Sequence, residues 1–181
     1  IPPKYVSSGC NWIHLKNEIH EILKDFAVSH PEIDVIVKAH PQQKDLDIIT
    51  EKLSGKNLTV LGGSQSSCSL IQESQLLVAF QTTALLEAIM VGKPVIYIDW
   101  ATNNDELKEL LLPFSNCPGT ISCKTAEKFK IYLKKFADNS LTLEFFEDRE
   151  KVKLFVDDYF KNSDGQVSDR LVSDINAKFL K

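Results

Sequence analysis

Short apolar runs alternate with segments of helical periodicity along the whole chain. The apolar runs are rich in β-branched residues and predict six strands, and residues recurring every three or four positions predict the helices between them. The predicted strands are 5–8, 33–41, 58–63, 76–80, 94–99 and 120–123. The predicted helices are 14–30, 42–55, 66–74, 82–92, 105–112, 126–138, 148–160 and 167–180.

Strands that are apolar throughout and alternate with helices are typical of a parallel sheet covered on both faces. The pattern therefore predicts an α/β fold with a doubly wound, Rossmann-like sheet of about six strands. We expect its strand order to reverse next to the first strand, with 58–63 at or near an edge. The 181 residues predict a single lobe over 1–181, in which 148–181 form a helical C-terminal extension.

Composition restricts the possible partners. The net charge of −4 gives no general attraction to nucleic acid, so an anionic ligand would need local cations or helix N-termini. No apolar run is long enough to span a bilayer. The first residue is Ile1 and the only methionine is Met90, which predicts a fragment, a trimmed form or a processed product of a longer protein.

The four cysteines are scattered without a CxxC pair, which favours free thiols in a reducing cytosol over a zinc site. The sequence also lacks GxGxxG, GxxxxGK[ST], HExxH and nucleophile-elbow motifs. We therefore expect no metal and no bound cofactor.

Candidate binding residues cluster after predicted strands, at the rim where open α/β sheets hold ligands. His40, within Lys38-Ala39-His40-Pro41, can donate a hydrogen bond to a phosphate oxygen. Its structural alternative is capping of nearby backbone. Gly62 and Gly63 end the third predicted strand and Ser64 follows it; these residues would allow a base or ribose to approach closely, or would form an ordinary turn.

The triplet Gln81-Thr82-Thr83 separates the fourth predicted strand from a helix. Two small hydroxyl residues at a helix start can expose backbone N–H groups to a diphosphate, although Thr82 could serve simply as an N-cap. Glu87 lies one turn further on the same helix face. It could accept hydrogen bonds from ribose or sugar hydroxyls, or face solvent.

These motifs, in this order, resemble the nucleotide-binding lobe of the GT-B superfamily. The segments concerned are KAHP (38–41), QTTALLEA (81–88), GKPVI (92–96) and the tail DGQVSDRLVSDI (164–175). The resemblance is closest to bacterial capsule and surface-polysaccharide glycosyltransferases and to CDP-glycerol glycerophosphotransferases. UDP-N-acetylglucosamine epimerases share a similar junction. This chain departs from the family in having Thr-Thr where Ser-Ser or Ser-Gly is usual.

The resemblance implies a donor-binding lobe in which His40, Gln81, Thr82 and Thr83 contact the donor diphosphate and Glu87 the sugar or ribose. The donor would be a nucleotide sugar or CDP-polyol, and the acceptor a glycan or lipid-linked glycan bound through an N-terminal lobe absent from this chain. The catalytic base would lie in that lobe. We expect a cytoplasmic protein, with peripheral contact to the inner membrane face left open. The alternatives are an epimerase lobe and a noncatalytic α/β regulatory or scaffold module.

Overall fold

The computed structural model describes residues 12–40, 46–63, 65–100, 111–141, 149–160 and 165–179. Within these ranges the strands are β1 (Val35–Lys38), β2 (Leu58–Leu61), β3 (Leu77–Ala79), β4 (Val95–Ile98) and β5 (Thr120–Cys123). The helices are α1 (Trp12–Ser29), α2 (Leu46–Lys52), α3 (Ser67–Glu73), α4 (Ala84–Met90), α5 (Ala126–Ala137), α6 (Arg149–Phe160) and α7 (Val167–Phe179). A short 3-10 helix at Phe114–Asn116 lies between β4 and β5.

The strand pairs of the described residues are all parallel. In the smaller sheet β1 pairs with β2, so that Val35 lies opposite Leu58. In the larger sheet the order is β3-β4-β5. Because consecutive parallel strands need a crossover, the helices between them follow directly from this pairing. The prediction of a mixed α/β fold with parallel strands is confirmed.

The prediction of one six-stranded, doubly wound sheet is wrong for the described residues, which form a two-stranded and a three-stranded sheet. The first predicted strand, 5–8, lies outside the described residues, as does most of the predicted helix 105–112. The apolar composition of β1 predicted a strand that is covered on both faces. In the structure, however, Ile36 is 51% exposed. The segment 58–61 pairs with β1 alone among the described strands. Its predicted place at the edge of a six-stranded sheet is not tested, because both strands of a two-stranded sheet are edge strands.

Strand β4 forms the centre of the larger sheet, and all four of its residues are buried. Val95 and Tyr97 pack into a cluster with α4, whereas Ile96 and Ile98 pack into a cluster with α1 and α5. The alternation of side chains along a strand thus places β4 between two apolar layers. The layered α/β architecture is clearest at this sheet.

Asn57 ties the end of α1 to the smaller sheet. Its side-chain nitrogen lies 3.0, 3.1 and 2.6 Å from the carbonyl oxygens of Ala27, His30 and Ile33. These carbonyls belong to the last turn of α1 and to the loop that leads into β1. One amide therefore fixes the path of the chain from helix to strand.

The predicted helical extension at 148–181 contains α6 and α7. Four residues of α6 pack against the cluster beside α4: Val152, Phe155, Val156 and Phe160. By contrast, α7 has no buried residue. In the described part of the chain, no helix combines the length and the apolar character needed to cross a bilayer.

Candidate functional site

The carboxyl end of β1 carries the first candidate residue, His40. The N–H of Ala39 donates to the carbonyl of Leu61 at 2.9 Å, which continues the parallel pairing one residue past the strand. Ala39 is buried and His40 is exposed. Pro41, the last residue of this motif, lies outside the described ranges.

Lys38 connects this end of β1 to the glycine pair that follows β2. Its ammonium lies 3.2 Å from the carbonyl oxygen of Ala39 and 3.4 Å from that of Gly63. The structure therefore brings Lys38-Ala39 and Gly62-Gly63 together at one rim. A side chain added at Gly62 would meet Leu46 only at an ordinary contact distance of 3.5 Å, so packing alone does not require glycine there. Ser64 lies outside the described residues.

The second rim lies between β3 and α4. The N-cap of α4 is Thr83, one residue later than expected, and its side chain makes no capping hydrogen bond. Instead, the hydroxyl of Thr82 accepts a hydrogen bond from the N–H of Ala84 at 3.3 Å. The hydroxyl of Thr82 thus serves the start of the helix, while the side chain of Thr83 is exposed.

Gln81 has a structural role that its sequence position did not reveal. Its amide nitrogen donates to the hydroxyl of Tyr97 at 2.6 Å and to the carbonyl of Leu112 at 3.0 Å. Its amide oxygen accepts from the N–H of Leu112 at 3.0 Å. Both amide protons are therefore engaged within the protein. The amide oxygen can only accept hydrogen bonds, so it offers no donor to a phosphate group. The predicted contact of Gln81 with a diphosphate remains a prediction.

Glu87 is the one exposed residue within a buried stretch of α4. Its neighbours Leu85, Leu86, Ala88 and Ile89 are all buried. Thr83 and Glu87 are both exposed and four residues apart, so they share one helix face, as predicted. This face combines a hydroxyl donor with a carboxylate acceptor.

The β4–β5 end adds polar residues that the sequence did not single out as a group. The hydroxyl of Ser122 donates to the carboxylate of Asp99 at 2.7 Å. Burial raises the pKa of Tyr97, and the nearby charge of Asp99 raises it further, while the hydrogen bond from Gln81 lowers it. Tyr97 could have been found from the sequence, because it is a phenol in an otherwise aliphatic strand. A buried phenol needs a polar partner, which indicates polar residues nearby.

The candidate residues thus form two groups. Lys38 ends β1, and His40 and Gly62-Gly63 follow the strands of the smaller sheet. Gln81, Thr82, Thr83 and Glu87 follow β3 of the larger sheet. Strand pairing brings residues together within each group. It does not fix the distance between the two groups, because β1 and β3 belong to different sheets.

Comparisons with known proteins agree with the capsule part of the resemblance. Neither the search of curated proteins nor the search of solved structures found a match. A model of the family described as capsule polysaccharide biosynthesis protein matches residues 4–102, which is more than half of the chain. That range includes both groups of candidate residues. The chain therefore belongs to the capsule polysaccharide biosynthesis family.

Proposed function

We propose that this chain is the donor-binding lobe of a transferase that uses a nucleotide-diphosphate-activated donor in capsule polysaccharide synthesis. The parent reaction would transfer a sugar or polyol-phosphate unit to a growing glycan. The observation that carries the proposal is that every candidate residue lies within the part of the chain that matches the capsule family. The same residues follow the carboxyl ends of parallel strands, where α/β sheets usually bind ligands.

The β3–α4 junction offers donors suited to a phosphate group. The hydroxyl of Thr83 is exposed and takes no part in capping. None of the described residues accepts a hydrogen bond from the backbone N–H groups of Thr82 and Thr83. Two N–H groups and a hydroxyl at one turn can replace several of the hydrogen bonds that a diphosphate makes with water.

Glu87 supplies the complementary chemistry one turn further along α4. An exposed carboxylate accepts hydrogen bonds but repels phosphate, so it suits neutral hydroxyl groups. A ribose or sugar attached to the phosphate would present such hydroxyls. The face formed by Thr83 and Glu87 therefore fits a ligand with an anionic part beside a polyhydroxyl part.

The chemical step would also require an acceptor and a base that removes the acceptor proton. In the proposed enzyme both belong to a second lobe. The role of this chain is to bind the donor and to stabilise the charge that develops on the leaving diphosphate. His40, when protonated, would donate a charge-assisted hydrogen bond for this purpose.

A thermal-shift screen tests the proposal. The 181-residue chain is heated with UDP, CDP, GDP, their sugar or glycerol conjugates, and the matching nucleosides. A ligand that binds only the folded state raises the melting temperature by mass action. We expect at least one diphosphate to stabilise the chain at millimolar concentration or below. A noncatalytic module would show no shift with any of these compounds, which would overturn the proposal.

A further inference from the structure

Positive charge is concentrated in the segment 124–135, which follows β5 directly and includes most of α5. Five of its twelve residues are lysines and one is acidic, whereas the whole chain has a net charge of −4. These six side chains are all exposed: Lys124, Glu127, Lys128, Lys130, Lys134 and Lys135. The segment is therefore a local basic surface on a protein that is acidic as a whole.

The opposite side of α5 holds this surface towards the outside. Phe129 and Leu133 are buried in the cluster that joins α5 to α1 and to β4. At the start of the helix, the hydroxyl of Thr125 accepts a hydrogen bond from the N–H of Lys128 at 3.2 Å. Because α5 is anchored at its N-cap and along its apolar side, the lysines cannot turn towards the core.

An apolar side chain lies in the middle of the basic surface. Ile131 is 53% exposed. Its neighbours on the helix surface, three and four positions away, are Glu127, Lys128, Lys134 and Lys135. An exposed isoleucine among lysines gains nothing from water, whereas a helix at a membrane surface inserts such a residue at the boundary between headgroups and acyl chains. Ile131 and the five lysines are termed the α5 lysine face.

We propose that the α5 lysine face binds the surface of a bilayer that contains anionic lipids. The lysines contact lipid phosphates by Coulomb attraction, and Ile131 enters the headgroup region. Two carboxylates oppose this attraction, namely Glu127 and Asp25, which lines the groove between α1 and α5 together with Lys130 and Lys134. The five lysines outnumber them, so the attraction prevails.

This inference goes beyond donor binding and does not depend on it, because α5 carries none of the donor-site candidates. The main alternative occupant is a soluble polyanion, which would also neutralise the lysines. A polyanion in water makes no use of an apolar side chain, however. The exposure of Ile131 at the centre of the lysines therefore favours the bilayer.

Sedimentation of the 181-residue chain with lipid vesicles tests the proposal. Vesicles of phosphatidylcholine alone are compared with vesicles that contain about one-third phosphatidylglycerol, at low and high salt. One variant combines Lys128→Gln, Lys134→Gln and Lys135→Gln, and a second carries Ile131→Ser. The matched control combines Lys52→Gln and Lys56→Gln, which neutralise exposed lysines outside α5. Binding of dextran sulfate is measured in parallel, and circular dichroism checks that each variant is folded.

We expect the unmodified chain to bind the phosphatidylglycerol vesicles, more weakly at high salt, and to bind phosphatidylcholine vesicles far less. Each lysine near an anionic surface contributes about fivefold, so the triple lysine variant should bind about 100-fold more weakly. Ile131→Ser should weaken vesicle binding about 3- to 10-fold and leave dextran sulfate binding unchanged. The control should retain most of the affinity, because its lysines lie outside the α5 lysine face.

Three outcomes would overturn the inference. The first is vesicle binding that does not depend on phosphatidylglycerol. The second is equal binding by the unmodified chain and the triple lysine variant. The third is loss of both vesicle and dextran sulfate binding in the triple variant with no effect of Ile131→Ser, which would identify a general polyanion site. None of these results affects the donor-binding function, which the thermal-shift screen tests without lipid.

Discussion

Replacing Gln81 with leucine should destabilise the fold, because the Gln81 amide links the end of β3 to Tyr97 of β4 and to the backbone of Leu112. The change removes the hydrogen bond that Gln81 donates to the Tyr97 hydroxyl at 2.6 Å. It also removes two hydrogen bonds with the backbone of Leu112, one donated to its carbonyl and one accepted from its N–H, each at 3.0 Å. Leucine has a similar volume, so the effect of an empty cavity is small. The loss is therefore mainly one of hydrogen bonding.

The size of the effect depends on which partners water can reach. Leu112 is 49% exposed, so water can replace the two bonds to its backbone at little cost. Tyr97 is only 2% exposed, so its hydroxyl would lose a partner that water does not readily replace. A buried polar group left without a partner costs about 1–3 kcal/mol, and each exchanged bond about 0.5–1 kcal/mol. We expect Gln81→Leu to lower the free energy of unfolding by about 2–3 kcal/mol.

Urea denaturation followed by circular dichroism measures this change. Gln72→Leu is the matched control, because Gln72 is exposed and, within the described ranges, its amide hydrogen-bonds only to the Cys68 sulfur at 3.8 Å. The control should change stability by less than about 0.5 kcal/mol. In addition, Tyr97→Phe combined with Gln81→Leu should cost less than the sum of the single changes, since the unpaired hydroxyl is then absent. A loss for Gln81→Leu no larger than that for Gln72→Leu would refute the reasoning.

Three further predictions concern other parts of the molecule. Asn57→Asp should destabilise the fold by about 2–4 kcal/mol in urea denaturation, because a carboxylate would face three carbonyl oxygens that now accept from an amide; an unchanged midpoint would contradict this. His40→Ala should weaken nucleoside-diphosphate binding by about 1.5–3 kcal/mol in calorimetry, and unchanged affinity in a folded variant would remove His40 from the site. Burial raises the pKa of Cys123 to about 12, so stability should fall as pH rises from about 9 towards 12, where the unfolded thiol ionises first. In the native protein at pH 8, iodoacetamide should therefore label the exposed Cys68 well before Cys123, as read by peptide mass spectrometry; equal labelling rates would contradict the burial.

The sequence predicted the strands well where apolar runs are short and bounded by turn residues. The segments 58–61, 95–98 and 120–123 were placed to within two residues because each is a compact β-branched run next to Gly, Pro or polar residues. The pairing of strands was less predictable. Whether β1 and β3 share a sheet depends on which backbone edges meet, and the period-2 pattern does not encode this.

In the candidate site, too, the positions of residues were predictable and their long-range contacts were not. Polar residues after strands were correctly placed at strand ends, because a buried parallel strand must end where polar groups begin. The sequence did not reveal that Gln81 hydrogen-bonds to Leu112, which is 31 residues away, or that Lys38 reaches Gly63. These contacts depend on how loops pack over the sheet. Thr82 was considered as the N-cap, but the N-cap of α4 is Thr83 and the helix begins at Ala84, one residue later than that reading expected.

The most direct test of the central claim is a calorimetric titration of nucleoside, nucleoside monophosphate and nucleoside diphosphate into the unmodified chain and the double variant Thr82→Ala, Thr83→Ala. If the β3–α4 junction binds the donor phosphates, the double change should weaken diphosphate binding far more than nucleoside binding. Some diphosphate affinity should remain, because the backbone N–H groups are still present. Equal losses for nucleoside and diphosphate, or no loss at all, would contradict the claim and leave these threonines as residues of a helix start.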